Sequence, residues 1–124
     1  RVGIVARPSS EEAWAAAWER FPADRKGQIA HALAMKVSDS HWHRRLSETD
    51  ESPQGPYWLH PFRNYKTFCP YLVGSYDEVG AELGRYYDLG FRTFIFDVPV
   101  TRDDLSHAAL ALAAARRLEP AAPR

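Results

Sequence analysis

The chain has one cysteine, one methionine and no net charge, its 16 Lys and Arg being matched by 16 Asp and Glu. A single thiol, Cys69, permits no internal disulfide, which sets the chain apart from cross-linked secreted domains and fits a reducing cytoplasm. Balanced charge leaves no electrostatic footprint for a polyanion, so no nucleic-acid partner is expected. No apolar run approaches the roughly 18 residues that span a bilayer, and no charged-then-apolar leader opens the chain, so no membrane partner is expected. The sequence also lacks a glycine-rich phosphate loop, an internal repeat and a low-complexity tract.

What is present suffices for one modest core, at 45% hydrophobic and 26% charged over 124 residues. The organising stretch runs from Pro70 to Pro99. Ser75 and Glu78 have the spacing of a capping box, Val79, Leu83, Tyr86 and Tyr87 recur at helical spacing, and Gly90 stands where a left-handed residue stops the helix. Thr93 to Val98 is β-branched and aromatic, the pattern of a strand covered on both faces in a parallel sheet. Val2 to Ala6 is a second apolar strand, and Ser9 with Glu12 opens a helix carrying Trp14, Trp18 and Phe21 on one stripe. Asp24–Met35 and Ser38–Leu46 read as two solvated polar helices or one kinked helix, and Glu48 to Gly55 as a surface loop. Tyr57 to Thr67 mixes aromatics with cations and reads as a functional loop. Thr101 caps a last helix with Asp103 and Asp104 in its first turn, running to Leu118 before a tail at 119–124.

Leu72-Val73-Gly74-Ser75-x-x-x-Val79, followed by Tyr86-x-x-Leu89-Gly90-x-x-Thr93-Phe94-Ile95, resembles the C-terminal segment of bacterial-luciferase-like flavin monooxygenases, especially their alkanesulfonate branch. Arg1-Val2-Gly3-Ile4-Val5-Ala6-Arg7 and Glu11-Glu12-Ala13-Trp14 resemble that branch as well. The resemblance implies an α/β fold in which residues 1–118 form the C-terminal part of a (β/α)8 TIM barrel. Its last two βα units would carry the strands at Val2 and Thr93, with a helical insertion at about 9–74 between them. A complete barrel needs about 250 residues, and the chain opens at Arg1 without an initiator Met. It is therefore expected to be a piece, a nicked chain or half of a split enzyme, held against the N-terminal part of the barrel. The apolar faces around Val5 and Phe94 would stay uncovered without that part. The implied activity is oxygenation of a small organic substrate by O2 and reduced FMN, delivered by a separate flavin reductase, in a homo-oligomer of the complete enzyme. A non-catalytic partner subunit and a deazaflavin-dependent oxidoreductase are the alternatives.

By the same resemblance, Arg1 helps to bind the anionic part of flavin or substrate, and Arg7 lies at the barrel mouth as a binding residue or a loop salt-bridge partner. Where the sulfonate branch carries His, this chain has Gly3. Where that branch carries Ser-Gly-Tyr-Pro-His, it has Phe96-Asp97-Val98-Pro99-Val100. Losing three polar groups argues against a simple alkanesulfonate, because a buried anion needs matched donors. The expected substrate is uncharged or bulkier, such as an intermediate of natural-product assembly. Restoring Gly3→His, Val98→Tyr and Val100→His would then restore sulfonate binding. Arg63, Asn64, Tyr65 and Lys66 fall where the family has a mobile loop that closes over reduced flavin. Asp97 and Val98 complete the expected binding set, and no residue is assigned a catalytic role. His31, His41, His43 and His60 lack the neighbours of a metal site, Cys69 reads as a packed thiol, and Trp14 and Trp18 read as packing anchors.

Overall fold

In the computed structural model, residues 1–48 and 55–117 are described. The elements run β1 (Gly3–Arg7), α1 (Ser10–Arg20), α2 (Arg25–Val37), α3 (His41–Glu48), β2 (Tyr57–Trp58), α4 (His60–Arg63), β3 (Tyr71–Ser75), α5 (Tyr76–Asp88) and α6 (Arg102–Arg117). β1 and β3 pair in parallel from Gly3 opposite Tyr71 to Arg7 opposite Ser75, and β2 adds antiparallel to the far side of β3. Beyond the other side of β1 the chain returns at Phe96 for a single parallel bridge to Val2. Two bonds of 2.9 Å make it, Val2 N–H to the Ile95 carbonyl and Asp97 N–H to the Val2 carbonyl.

This order explains the layers. From β1 the chain crosses one way to β3 through α1, α2 and α3, then back past β1 through α5. Parallel crossovers keep one hand, so crossings in opposite directions put their helices on opposite faces. Val2, Ile4, Ala6 and Leu72 accordingly pack with Val79, Leu83 and Tyr87 of α5 and Ala108, Ala111 and Ala115 of α6. The alternate residues Val5, Tyr71 and Val73 pack with Ala13, Ala17, Phe21, Trp58 and Cys69 on the α1 side. A smaller cluster of Leu46, Leu59 and Phe62 holds α3 and α4 together.

Local chemistry sets the boundaries. Ser9–Glu12 and Ser75–Glu78 form reciprocal capping boxes, and the Asp24 side chain caps α2. Gly90, at φ 97°, closes α5 in the left-handed conformation, with its N–H on the Tyr87 carbonyl and that of Phe91 on the Tyr86 carbonyl. Thr101 Oγ1 accepts from the Asp104 amide at 3.1 Å, as its capping position predicts.

Several expectations are corrected here. Residues 9–74 are not a purely helical insertion, since β2 and β3 lie within them and β3 makes the full ladder with β1. The segment at Thr93–Val98 is not a doubly buried strand. Among the described residues it has one neighbour and one bridge, and Ile95 and Val98 are 65% and 76% exposed. Val5 is covered, because α1 lies over it, and Phe94 is half-buried against Tyr86, Tyr87 and Phe96. The third helix starts at His41, three residues later than expected, with the Ser40 hydroxyl accepting from the His43 amide. Most of the expected loop at Glu48–Gly55, residue Leu118 and the tail at 119–124 lie outside the described residues. No described helix is long and apolar enough to cross a membrane.

Candidate functional site

The residue opposite Gly3 on β3 is Tyr71. A Cβ at Gly3 would collide with the Tyr71 ring, so the glycine is the space into which that ring lies flat. Tyr71 is thereby aimed along the sheet, and its hydroxyl donates to Asp97 Oδ2 at 2.7 Å. Thr67 Oγ1 donates to the same oxygen at 2.9 Å, while the Arg1 guanidinium pairs with Asp97 Oδ1. Burial alone would push the Asp97 carboxyl up, but the bonds from Arg1, Tyr71 and Thr67 outweigh it and hold the group below the usual carboxylate range. Burial, reinforced by the bond to Asp97, pushes the Tyr71 phenol far up, so it remains a neutral donor. Arg20, at the end of α1, lies over the Phe21 and Tyr71 rings, 3.4 Å from the Tyr71 hydroxyl, and donates to the Val98 carbonyl at 3.2 Å. Cys69 is fully buried beside Thr67, its thiol raised by burial, a packed group as expected.

Sequence reasoning named Arg1, Gly3 and Asp97 and missed Tyr71, Thr67 and Arg20. The available signal was a four-residue apolar run between Pro70 and the capping Ser75, which marks a short buried strand. The idea that a histidine fits at Gly3 is corrected by the Tyr71 ring, which fills that volume. The Val98 side chain is exposed, and its backbone carbonyl accepts from Arg20.

The space adjoining this cluster, between Ile4, Tyr71, Phe96 and Ala108, is about 20 Å³ and holds no more than a water. A larger cleft of about 510 Å³ opens along β1 towards its carboxyl end, between α1 and the start of α6. Val5, Arg7, Arg20, Val100, Asp104 and His107 are among its walls. It adjoins the point where the strand order reverses, the usual ligand crevice of an open α/β sheet. Arg7 pairs there with Asp104 at 3.0 Å and also donates to the Ala6 carbonyl at 2.8 Å. Burial raises Asp104, but Thr101 and Arg7 more than offset it, so its carboxyl lies low.

The expected flavin-closing loop is anchored in the chain through Asn64, while Tyr65 and Lys66 are exposed. Asn64, 1% exposed, uses all four of its hydrogen-bonding positions inside the chain. Its Oδ1 accepts from the Asp24 amide at 2.7 Å and Gln28 Nε2 at 3.1 Å, and its Nδ2 donates to the His60 carbonyl at 2.8 Å and His60 Nδ1 at 3.2 Å. His60 Nε2 in turn donates to the Phe21 carbonyl at 3.1 Å. Lys66 pairs with Asp24 at 2.7 Å, and the Lys66 bond, followed by that from the Gly27 amide, lowers Asp24. Asn64 and Lys66 thus fasten the segment around α4 to the start of α2. Arg63 lines a cleft of about 520 Å³ with Gln28, His31, Ala32, Met35 and Ser47. The histidine helices are not wholly solvated, since His31 and His60 are buried. Among the described residues no three His, Cys, Asp or Glu side chains converge on a metal position.

No protein-family profile matches the chain. Over 111 residues it is 36% identical to the 4-(gamma-L-glutamylamino)butanoyl-(BtrI acyl-carrier protein) monooxygenase BtrO of Niallia circulans. The match takes in 86% of this chain and 32% of BtrO, so the chain spans about a third of the length of the curated relative it matches. The similarity is to a monooxygenase, and it does not single out the alkanesulfonate branch.

Proposed function

We propose that the chain forms part of a luciferase-like, flavin-dependent monooxygenase that oxygenates an acyl group carried on an acyl-carrier protein. The 36% identity to BtrO carries this reading, because BtrO's substrate is a carrier-bound acyl chain. Loss of the polar groups expected of sulfonate oxidisers at Gly3, Val98 and Val100 agrees with it. Reduced FMN, supplied by a separate reductase, provides the oxygen chemistry when bound.

The described residues do not by themselves fit FMN. Arg1 and Arg7 are each paired with a carboxylate. The water-sized space beside Tyr71 is far too small for a flavin. The 510 Å³ cleft has the volume, but Glu19, Asp103 and Asp104 in its walls oppose a phosphate. Flavin contacts are therefore assigned to the remaining N-terminal part of the enzyme, and this chain contributes substrate positioning. Within the cleft, Arg7 and His107 offer donors to an acyl carbonyl, while Val5, Ala16 and Val100 exclude water from its chain. Completion as a (β/α)8 barrel belongs to the same proposal. It requires α1 to leave the Val5–Tyr71–Val73 face, because barrel helices all lie outside the strands.

The decisive experiment supplies the chain with the N-terminal two thirds of a BtrO-like enzyme, a flavin reductase, FMN and 18O2. Mass spectrometry of a carrier-bound aminoacyl substrate should show one added 18O. Flavin oxidation without label in the acyl group would overturn the reading. In that event the second reading, a non-catalytic partner subunit, is favoured by the internal pairing of Arg1 and Arg7.

A further inference from the structure

Tyr76 and His107 join the start of α5 to α6. Tyr76 is the first residue of α5, set directly after the capping box at Ser75 and therefore at the carboxyl end of β3. His107 is in line with Ala111 and Ala114, at i, i+4 and i+7 spacing, on the side of α6 that packs against α5. The two rings stack at 5.8 Å and 24°, and the Tyr76 oxygen is 2.6 Å from His107 Nδ1. Both residues are half-buried.

One arrangement of hydrogens satisfies both groups. Among the described residues the Tyr76 hydroxyl has no other acceptor, and a neutral imidazole carries its single hydrogen on one nitrogen. The hydroxyl therefore donates to Nδ1, which places the ring hydrogen on Nε2. That nitrogen has no partner among the described residues, and His107 belongs to the wall of the 510 Å³ cleft whereas Tyr76 does not. Tyr76 thus fixes the ring from outside the cleft and leaves it one N–H to offer.

The other walls define what that N–H can meet. Arg7 is spent on Asp104 and the Ala6 carbonyl, Thr101 on Asp104, and Arg20 on the Val98 carbonyl. Glu19, Asp103 and Asp104 oppose an anion, while Val5, Ala16 and Val100 suit an aliphatic chain. A lone donor among carboxylates and apolar side chains fits a neutral acceptor, a carbonyl carried on such a chain. The pair is also independent of α1. It joins α5 to α6, which approach so closely that a Cβ on Gly80 would lie 2.7 Å from Ala114 Cβ, so it persists if α1 leaves the sheet.

We infer that His107 Nε2 is the donor to the thioester carbonyl of the acyl chain, and that Tyr76 is the residue that positions it. The thioester rests on the function proposed above, whereas the geometry of the pair does not.

Two probes that differ only in the carbonyl decide it. S-Butanoyl-pantetheine, a thioester, and S-butyl-pantetheine, a thioether, are titrated by calorimetry at about pH 8 against the native chain, His107→Gln, His107→Leu and Tyr76→Phe. Glutamine returns an N–H near the Nε2 position, leucine fills the volume without a donor, and phenylalanine keeps the stacked ring without the hydroxyl. The native chain should bind the thioester about fivefold more tightly than the thioether, a preference kept in His107→Gln, lost in His107→Leu and reduced in Tyr76→Phe. Imidazole 15N NMR adds a readout that packing alone would not move. The His107 signals, identified by their loss in His107→Gln, should place the hydrogen on Nε2 in the native chain and on a mixture of both nitrogens in Tyr76→Phe. No saturable thioester binding, equal binding of the two probes, an unchanged preference in His107→Leu, or a native ring hydrogen on Nδ1 would each overturn the inference. A Tyr76→Phe chain that matches the native one in both readouts would overturn the role of Tyr76. If leucine unfolds the chain, Tyr76→Phe and the NMR keep the comparison decisive. Thioester preference without 18O incorporation would leave the pair standing and remove the oxygenase. Native incorporation by an assembled enzyme carrying His107→Leu would do the reverse.

Discussion

Against α5 and α6 the sheet presents Val2, Ile4, Ala6 and Leu72, and the helices meet it mainly with aliphatic side chains, Val79, Leu83, Ala108, Ala111 and Ala115, and with the ring of Tyr87. A Cβ on Gly80 would lie 2.7 Å from Ala114 Cβ and 3.0 Å from the Ala115 amide nitrogen, so the two helices approach nearly backbone to backbone. Against α1 the same sheet presents Tyr71, and with it a carboxylate, two guanidiniums, a threonine and a run of aromatics around Trp58. The first face is specified by volume, the second by hydrogen-bond partners as well. They should therefore fail in different ways.

Removing volume from the close-packed face should have the largest effect. Leu72→Ala and Leu83→Ala empty positions that are fully buried, so each is expected to cost about 3 kcal/mol in denaturant unfolding. A loss near 1 kcal/mol would mean that α6 collapses into the gap and that the packing is looser than described.

The second test asks whether the α1 face is keyed by the Gly3–Tyr71 fit. Gly3→Ala should cost about 2–3 kcal/mol by overpacking. In a Tyr71→Ala background most of that penalty should vanish, which a double-mutant cycle reads as coupling. Additive losses would show that the ring does not occupy the glycine's space.

Acid should separate the faces further. Folded Asp97 and Asp104 hold protons less tightly than unfolded carboxylates, whose ordinary value is about 3.9. Their stabilisation is thus complete above that value and is lost as pH falls through their lower folded values. Melting temperature in Asp97→Asn should be lower at neutral pH and fall less steeply below about pH 4, whereas Leu83→Ala should shift the whole curve without changing that limb. His31 works higher on the scale. Burial first, then Arg63 and His43, lower its proton affinity, so its neutral form favours folding above about pH 6.5 and the benefit declines as pH falls through 6.5. His31→Gln should remove that mild slope.

The smallest effect is expected at Lys66. Its pair with Asp24 is exposed, and such pairs contribute little. Lys66→Ala should leave the melting temperature nearly unchanged, while Asn64→Ala, which strands four partners, should lower it clearly.

These contrasts also show what sequence could reveal. The capping boxes at Ser9 and Ser75, the stop at Gly90 and the cap at Thr101 rest on chemistry within four residues, and each is found where its spacing puts it. β3 was hidden because Tyr71–Ser75 is five residues long and merges into the helix that follows. Its partner is about 68 residues distant, and only that partner makes it a strand. The reading of Thr93–Val98 failed for the converse reason. Composition marks a buried strand, but coverage depends on neighbours, and among the described residues it has Val2 alone. At the site, Arg1 and Asp97 were legible through resemblance, whereas Tyr71 emerges only from the register that sets it against Gly3. Asn64 sits among cations that suggest a binding loop, and nothing local discloses that its amide is fully used within the chain.

The single bridge beside β1 has a consequence for exchange with solvent. In a parallel strand the backbone groups of successive residues point to alternate sides. Gly3 donates towards β3 and Val2 towards Ile95, so the Val5 and Arg7 amides face the β3 ladder, and those of Ile4 and Ala6 face the side where the pairing has already ended. One five-residue strand should therefore hold slowly and rapidly exchanging hydrogens in strict alternation, a comb that deuterium labelling followed by NMR would resolve. A further strand pairing along that edge would slow the Ile4 and Ala6 amides and leave their neighbours unchanged.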